Sequence, residues 1–338
     1  MIPVLGPLFL CLLFHIVAQL VVGDSQLVYT PVEDITIACG DSGTQISKFD
    51  NRTWNGDINS EFFPMERDQV GNSTSQVRKP PSSSFTGRVP YTTARLSHSE
   101  FTYTFTLTTG QKFIRLYFYH ASYADFDRSK ALFSVKAGGY TLLPDFNASA
   151  TVDASRVETI YKEFCLNIYG GDQSLNITFI PSEAEQAYAF INGIEIVSMP
   201  TYLYYTAPQS KGAAYIGEEV NFPIGENTAM EMFYRINIGG SPVSSIQDTG
   251  MYRTWDATDE FYLDDPSRKF SVLPQNSTIE LKFIKAPEYT APGDVYRTGR
   301  SMGMNNTINK SYNLTWAFPV DSDFSYLVRL HFVSLSLI

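Results

Sequence analysis

Cysteine and histidine are both scarce in this 338-residue chain, which holds three Cys (Cys11, Cys39, Cys165) and four His (His15, His98, His120, His331). Three cysteines cannot staple a disulfide-built miniature fold or furnish a cysteine-rich zinc module. The histidines are scattered, and none forms a metal-spaced pair with a neighbouring His, Cys or Glu. Charge is thin as well, at 18% of residues, and basic groups are outnumbered: Lys plus Arg is 25 against Asp plus Glu 35, a formal net charge of −10. A nucleic-acid polyanion would be repelled at long range, so no nucleic-acid partner is expected. Beyond residue 24 no apolar run is long enough to cross a bilayer.

What the chain has in quantity is aromatic carbon. With 24 Phe and 21 Tyr, aromatics reach 14% of residues within a 43% hydrophobic total. Such side chains favour pleated strands, and the length suits two domains, so an all-β fold is predicted. The one long apolar segment, Val4 to Val22, carries no Lys or Arg and is broken only by Gly6, Pro7, His15 and Gln19. It reads as a signal peptide over residues 1–23, with Val21 and Gly23 before the cleavage at Asp24, the alternative being an uncleaved anchor. Eight sequons support export and glycosylation, at Asn51, Asn72, Asn147, Asn176, Asn276, Asn305, Asn309 and Asn313. Removal of the leader leaves one cysteine pair. In an oxidising lumen Cys39 and Cys165 are expected to form a disulfide, the alternative being two buried free thiols.

The hydrophobic period is two almost throughout. Phe101-Thr102-Tyr103-Thr104-Phe105-Thr106-Leu107 alternates as a half-buried strand does, aromatics inward and threonines outward. Similar runs span 113–120, 131–136, 175–180, 191–197, 279–284 and 326–332, and Thr108-Thr109-Gly110-Gln111 reads as a hairpin turn between the first two strands. Short strands at this spacing make β-sandwiches.

An internal repeat organises them. Asn51-Arg52-Thr53-Trp54 returns 201 residues later as Tyr252-Arg253-Thr254-Trp255, Arg95 returns 205 later as Arg300, and Arg115 returns 214 later as Arg329. In the last of these, Phe113 to Phe118 aligns with Leu327 to Phe332. Three landmarks in one order imply a duplicated domain. The first copy continues to about Pro200, whereas the second reaches only the equivalent of about residue 124, so roughly 75 residues of a second sandwich are expected to be missing. The predicted organisation is a first domain over 24–203, a linker over 204–212 and a truncated second domain over 213–338. Val328, Leu330 and Phe332 would then lack an opposing layer.

Several stretches together resemble the ectodomains of plant malectin-like receptor kinases of the FERONIA type. They include Asp50-Asn51-Arg52-Thr53-Trp54, Pro90-Tyr91-Thr92-Thr93-Ala94-Arg95, Ile114-Arg115-Leu116-Tyr117-Phe118-Tyr119, Ala189-Phe190-Ile191-Asn192-Gly193-Ile194-Glu195-Ile196, Asp248-Thr249-Gly250 and Arg300-Ser301-Met302-Gly303. The resemblance covers about residues 27 to 332. It implies tandem malectin-like β-sandwiches, the second incomplete here. It also implies recognition of secreted, basic rapid alkalinization factor peptides with a glycosylphosphatidylinositol-anchored co-receptor, and of cell-wall pectin. Where the family continues with Cys-Glu after its last matching strand, this chain has Val333-Ser334. The family's transmembrane span and kinase are not matched: there is no V-A-I-K, H-R-D or D-F-G.

The residues themselves do not argue for catalysis, a cofactor or a metal. Asp125 with Asp127 and Asp264 with Asp265 are close carboxylates, but their Ser, Asp and Pro surroundings read as solvated loops, and no G-x-S-x-G elbow is present. Binding is the better class, since tyrosines bury large area while keeping a polar handle. Among strand aromatics such as Tyr117, Tyr119 and Tyr123 the core reading is stronger. Tyr202, Tyr204 and Tyr205, where the repeats meet, are the candidate ligand-binding residues. The alternative function is a free-standing secreted lectin.

Overall fold

The structure, a computed structural model, describes residues 29–66, 75–80, 88–170, 174–273 and 280–332. The expected leader lies outside them, as do Asn72 and Asn276. Fourteen strands build the first repeat: β1 (Asp34–Ala38), β2 (Thr44–Ile46), β3 (Thr53–Gly56), β4 (Met65–Glu66), β5 (Gln76–Arg78), β6 (Ala94–Ser97), β7 (Phe101–Thr106), β8 (Gly110–Tyr119), β9 (Leu132–Ala137), β10 (Tyr140–Asn147), β11 (Thr159–Ile168), β12 (Ser174–Pro181), β13 (Ala189–Ile191) and β14 (Gly193–Ser198). The second repeat contributes β15 (Ala213–Ala214), β16 (Asn221–Phe222) and β17 (Met230–Glu231).

A seven-stranded sheet, ordered β17-β11-β8-β14-β1-β3-β2, packs on a five-stranded one, ordered β10-β9-β12-β7-β4. The alternation of β7 sends Phe101, Tyr103 and Phe105 into the core, each fully buried, where they meet Ile114, Leu116 and Phe118 of β8 and Ile194 and Ile196 of β14. The outward threonines pair across strands, Thr102 with the Thr178 hydroxyl at 2.9 Å and Thr104 donating to Asn176 at 2.9 Å. One turn differs from its sequence reading. β7 and β8 lie in different sheets, so Thr108 to Gln111 carries the chain across the sandwich rather than closing a hairpin. The Glu33 carboxylate holds that crossover, accepting from the Thr108 N–H at 2.6 Å and from Lys112 at 2.7 Å.

β8 is buried on both faces, which the alternation of one-sided sheets does not explain. Its second face is covered in part by the second repeat, at Phe113 and Arg115, while Tyr117 lies against Trp54, Tyr91 and Tyr161 of the first. β17 completes the join by extending the first repeat's sheet at β11, with Glu231 opposite Phe164 and Met230 opposite Cys165.

The second repeat is otherwise held by isolated bridges such as Val243 with Trp255 and Leu263 with Trp316, and by the short helices that follow α1 (Ala148–Ser155): α2 (Asp265–Phe270), α3 (Gly293–Arg297) and α4 (Asn306–Ser311). Of the strand expected over 279–284 the described residues 280–284 form none, and the strand expected over 326–332 is not formed either. The sequence alignment of the repeats accounts for the second absence. Ile114, Leu116 and Phe118 are all 0% exposed between two layers, whereas their counterparts Val328, Leu330 and Phe332 are 73%, 67% and 81% exposed. A strand needs neighbours to satisfy its backbone, and among the described residues 326–332 makes no main-chain hydrogen bond.

Candidate binding cleft at the junction of the repeats

The floor of the junction is apolar. Phe113, Cys165 and Val197 of the first repeat's sheet bury against Met199, Leu203, Tyr205, Ile224 and Met251. Beside this floor runs a buried ionic ladder. Arg115, fully buried, donates from Nε to Glu163 at 2.7 Å, also binds Glu195, and reaches the Met251 carbonyl of the second repeat at 2.8 Å. Arg52 donates to the same Glu195 at 2.7 Å and lies over the Tyr252 ring, 3.9 Å from its centre, while Arg235 of the second repeat pairs with Glu163. Tyr117 donates to Glu195 at 2.6 Å and Tyr161 to Glu163 at 2.8 Å. Burial alone would raise both carboxyl pKa values; the flanking guanidinium groups reverse this and hold both below the usual glutamate range.

Above this floor the three candidate tyrosines do come together, lining a cleft of about 320 Å³ with Ile224, Val328 and Arg329. The segment enters through Tyr202, whose backbone is left-handed (φ 62) and whose N–H donates to the Gln111 side chain at 2.9 Å. That turn presents the Tyr202 ring to solvent. Tyr204 meets the Phe113 ring edge-on at 6.1 Å and carries the Arg329 guanidinium over its face, 5.6 Å from the ring centre. Arg329 also donates to the Leu203 carbonyl. Tyr205 is different: its ring is buried in the cleft wall and its hydroxyl donates to the Thr228 carbonyl at 2.9 Å, which fixes that wall. A polar hollow of about 390 Å³ in the loops of residues 42–62 receives none of the residues singled out in the sequence.

The expected disulfide is not found. Cys39 and Cys165 are both free and buried. Cys39 follows β1 and faces the core between the sheets, whereas Cys165 on β11 faces the junction floor. With β8 and β14 between those strands, the separation is about 14 Å at the usual strand spacing. That is well beyond disulfide reach. Burial pushes the Cys165 thiol up to about 12 and the Cys39 thiol well above its ordinary value, the state of inert packing groups.

The six sequon asparagines within the described residues, Asn51, Asn147, Asn176, Asn305, Asn309 and Asn313, are all exposed. The close aspartates have structural tasks. Asp127 caps a short turn by accepting from the Ser129 N–H at 2.9 Å, and Asp264 caps α2 by accepting from Ser267 N–H at 2.8 Å. His120 is buried and hydrogen-bonded near Arg128 and Ser149, and His331 stacks edge-on against Trp255 and Tyr296. Among the described residues no cluster of His, Cys, Asp or Glu suits a metal.

Sequence reasoning missed the carboxylates that complete the repeat. Arg95, the first copy's landmark, is clamped to buried Asp57 at 2.7 and 2.8 Å, and its counterpart Arg300 pairs with Asp259. The signal was present: Asp57 follows Trp54 by three residues and Asp259 follows Trp255 by four.

The Malectin-like domain family matches residues 37–337 of the chain. The chain belongs to this family. It is 42% identical to the receptor-like protein kinase FERONIA of Arabidopsis thaliana over 316 residues, covering 91% of this chain and 33% of that protein. A crystal structure of the plant receptor-like kinase FER superposes with a TM-score of 0.71 at 40% identity, covering 86% of this chain and 71% of that one. The same protein in a crystal structure of the plant peptide RALF23 in complex with FER and LLG2 gives 0.73 at 38% identity, over 88% and 72% of the two chains. The malectin-like chain spans about a third of the length of the curated receptor kinases it matches. What it shares with them is the ectodomain, and no kinase domain is evident in it.

Proposed function

We propose that this malectin-like chain is an exported recognition module of the receptor-kinase ectodomain type, binding a secreted basic peptide of the rapid alkalinization factor class together with a glycosylphosphatidylinositol-anchored co-receptor. The observation that carries the reading is the likeness to FER as it occurs in a complex with RALF23 and LLG2. Two features of this chain support it. Its net charge of −10 attracts a cationic peptide, and the cleft at the repeat junction offers tyrosine rings as anchors. The leader segment and the exposed sequons support a glycosylated, extracellular setting.

A pectin-type glycan is the second reading, favoured by the solvent-facing Tyr202 ring, which could stack on a sugar. The same acidic chain repels a polyuronate, so the two ligands respond oppositely to salt. Chain secreted from plant cells is titrated with a cationic rapid alkalinization factor peptide and with oligogalacturonate at low and high ionic strength. The peptide is expected to bind saturably and more weakly as salt rises. Binding of oligogalacturonate alone, undiminished by salt, would replace the first reading with the second, and retention of an unglycosylated chain in the cytosol would refute both.

A further inference from the structure

The β2–β3 hairpin of the first repeat leaves one of its faces bare. Its register sets Thr44 opposite Asn55 and Ile46 opposite Thr53, so these four side chains share a face, and all are exposed, Ile46 at 68%. Gln45 and Trp54 turn the other way, with Trp54 buried on the sheet. β2 is also the last strand of the seven-stranded sheet, and its outer edge pairs with no strand among the described residues. An open edge beside an exposed isoleucine invites other chains to pair unless something covers it.

The bare face runs between two features. At one end the loop 47–52, closed by the Ser47 N–H donating to the Arg52 carbonyl at 2.9 Å, carries the sequon residue Asn51, exposed and in a left-handed backbone (φ 55). At the other end lies the polar hollow of about 390 Å³, with Thr44 and Asn55 on its lining. Asn51 is four residues from Asn55, at most about 13 Å along an extended chain. The inner sugars of an N-linked glycan span that distance. The hollow is prebuilt. The Asp41 carboxylate accepts from the Ser42 and Gly43 N–H groups at 2.7 and 3.1 Å, the Asp41 carbonyl takes the Ile58 N–H at 3.0 Å, and the Gly56 N–H donates to the Gly43 carbonyl at 2.7 Å. Asn59, Glu61 and the half-buried Phe62 complete the lining, and the Glu61 carboxylate has no partner among the described residues. Amide donors, a carboxylate acceptor and an aromatic ring suit N-acetylglucosamine, which offers an acetamido N–H, hydroxyls and an apolar ring face.

We propose that the glycan on Asn51 folds back along this face and seats its inner N-acetylglucosamine sugars in the hollow, covering Ile46 and the free edge of β2. Because the sugar is tethered to the chain that holds it, weak contacts suffice to keep it seated. The proposal rests on the exported, glycosylated reading above and is separate from the tyrosine cleft.

The chain is secreted from plant cells, its glycopeptides are mapped by mass spectrometry, and the folded protein is treated with a peptide N-glycosidase. The Asn51 glycan is expected to leave the folded chain at least about three-fold more slowly than the denatured one, and its removal should speed amide exchange at 42–46 and 55–62. Glu61→Ala, at an exposed side chain outside the sequon, should hasten release at Asn51 and leave release at Asn147 unchanged. A bare Asn51 beside an occupied Asn147 or Asn176, exchange unaltered by removal of the glycan, or release indifferent to Glu61→Ala would each overturn the proposal alone. A chain retained in the cytosol with every sequon bare would overturn the exported reading and this proposal with it.

Discussion

The Arg115 guanidinium, planted on the sheet of the first repeat, donates to the Met251 carbonyl of the second at 2.8 Å. Around that contact Glu163 and Glu195 are both buried, and each also takes a guanidinium from a different segment, Arg235 and Arg52 respectively. The join between the repeats is therefore ionic at its centre and apolar at its floor, and ionic centres are unforgiving of one-sided change. Arg115→Ala removes the shared partner of two buried carboxylates, a change that typically costs about 3 to 5 kcal/mol. Chemical denaturation should register a loss on that scale. A loss under about 1 kcal/mol would mean that the ladder contributes little.

Acid should act on the second repeat at a higher pH than on the ladder. His331 is packed against Trp255 and Tyr296, and burial, reinforced by Arg329, Arg253 and Arg235, pushes its pKa from 6.5 down to about 4. Between those values the unfolded chain binds a proton that the folded chain does not, so stability falls as pH drops from 6.5 towards 4 and is fully present above that window. Glu163 and Glu195, held below the ordinary 4.5, add their loss only below that value. Denaturant midpoints measured across this range should show the earlier loss, and His331→Gln should flatten it.

The repeated aspartate–arginine pairs should differ in worth. Asp57 is fully buried and binds the Arg95 guanidinium, the Tyr103 hydroxyl at 2.6 Å and the Gly40 N–H at 2.8 Å. Asp57→Ala strands all three and is expected to cost about 3 to 5 kcal/mol. After Asp259→Ala the guanidinium of Arg300 keeps exposed Glu260 at 3.0 Å. Its cost, read from paired denaturation curves, should be clearly smaller.

Limited proteolysis should start in the second repeat. The bare Val328, Leu330 and Phe332 each forgo about 1.5 to 3 kcal/mol of burial, and few strands brace the backbone around them. We expect early cuts in 318–332 and a protected fragment ending near Pro200. Equal resistance of the two repeats would show that the second has closed its core in another way.

How far the sequence led depends on which side of a strand is asked about. The alternation of Phe101 to Thr106 places the core face of β7 because every second residue is apolar there. β8 shows no such alternation of burial, since its outer face is covered by segments remote in sequence, Met251 lying 136 positions from Arg115, and no local pattern encodes that. The same limit defeated the cysteine pair, where compartment and count suggested a bond that sheet order forbids. The tyrosine segment was legible as a cluster, yet only the turn at Tyr202 and the Tyr205–Thr228 hydrogen bond decide which rings face the cleft. Asp57 and Asp259 could have been found from their places three and four residues after the repeated tryptophan.

The central claim is that ligand is read at the cleft between the repeats, by Tyr202 and Tyr204. Calorimetric titration of a cationic rapid alkalinization factor peptide into the chain and into its Tyr202→Ala, Tyr204→Ala double variant tests it most directly, with circular dichroism confirming that both are folded. The account predicts at least about a ten-fold loss of affinity in the variant, the scale of an aromatic anchor. Unchanged affinity in a folded variant would contradict it and move the recognition surface elsewhere on the molecule.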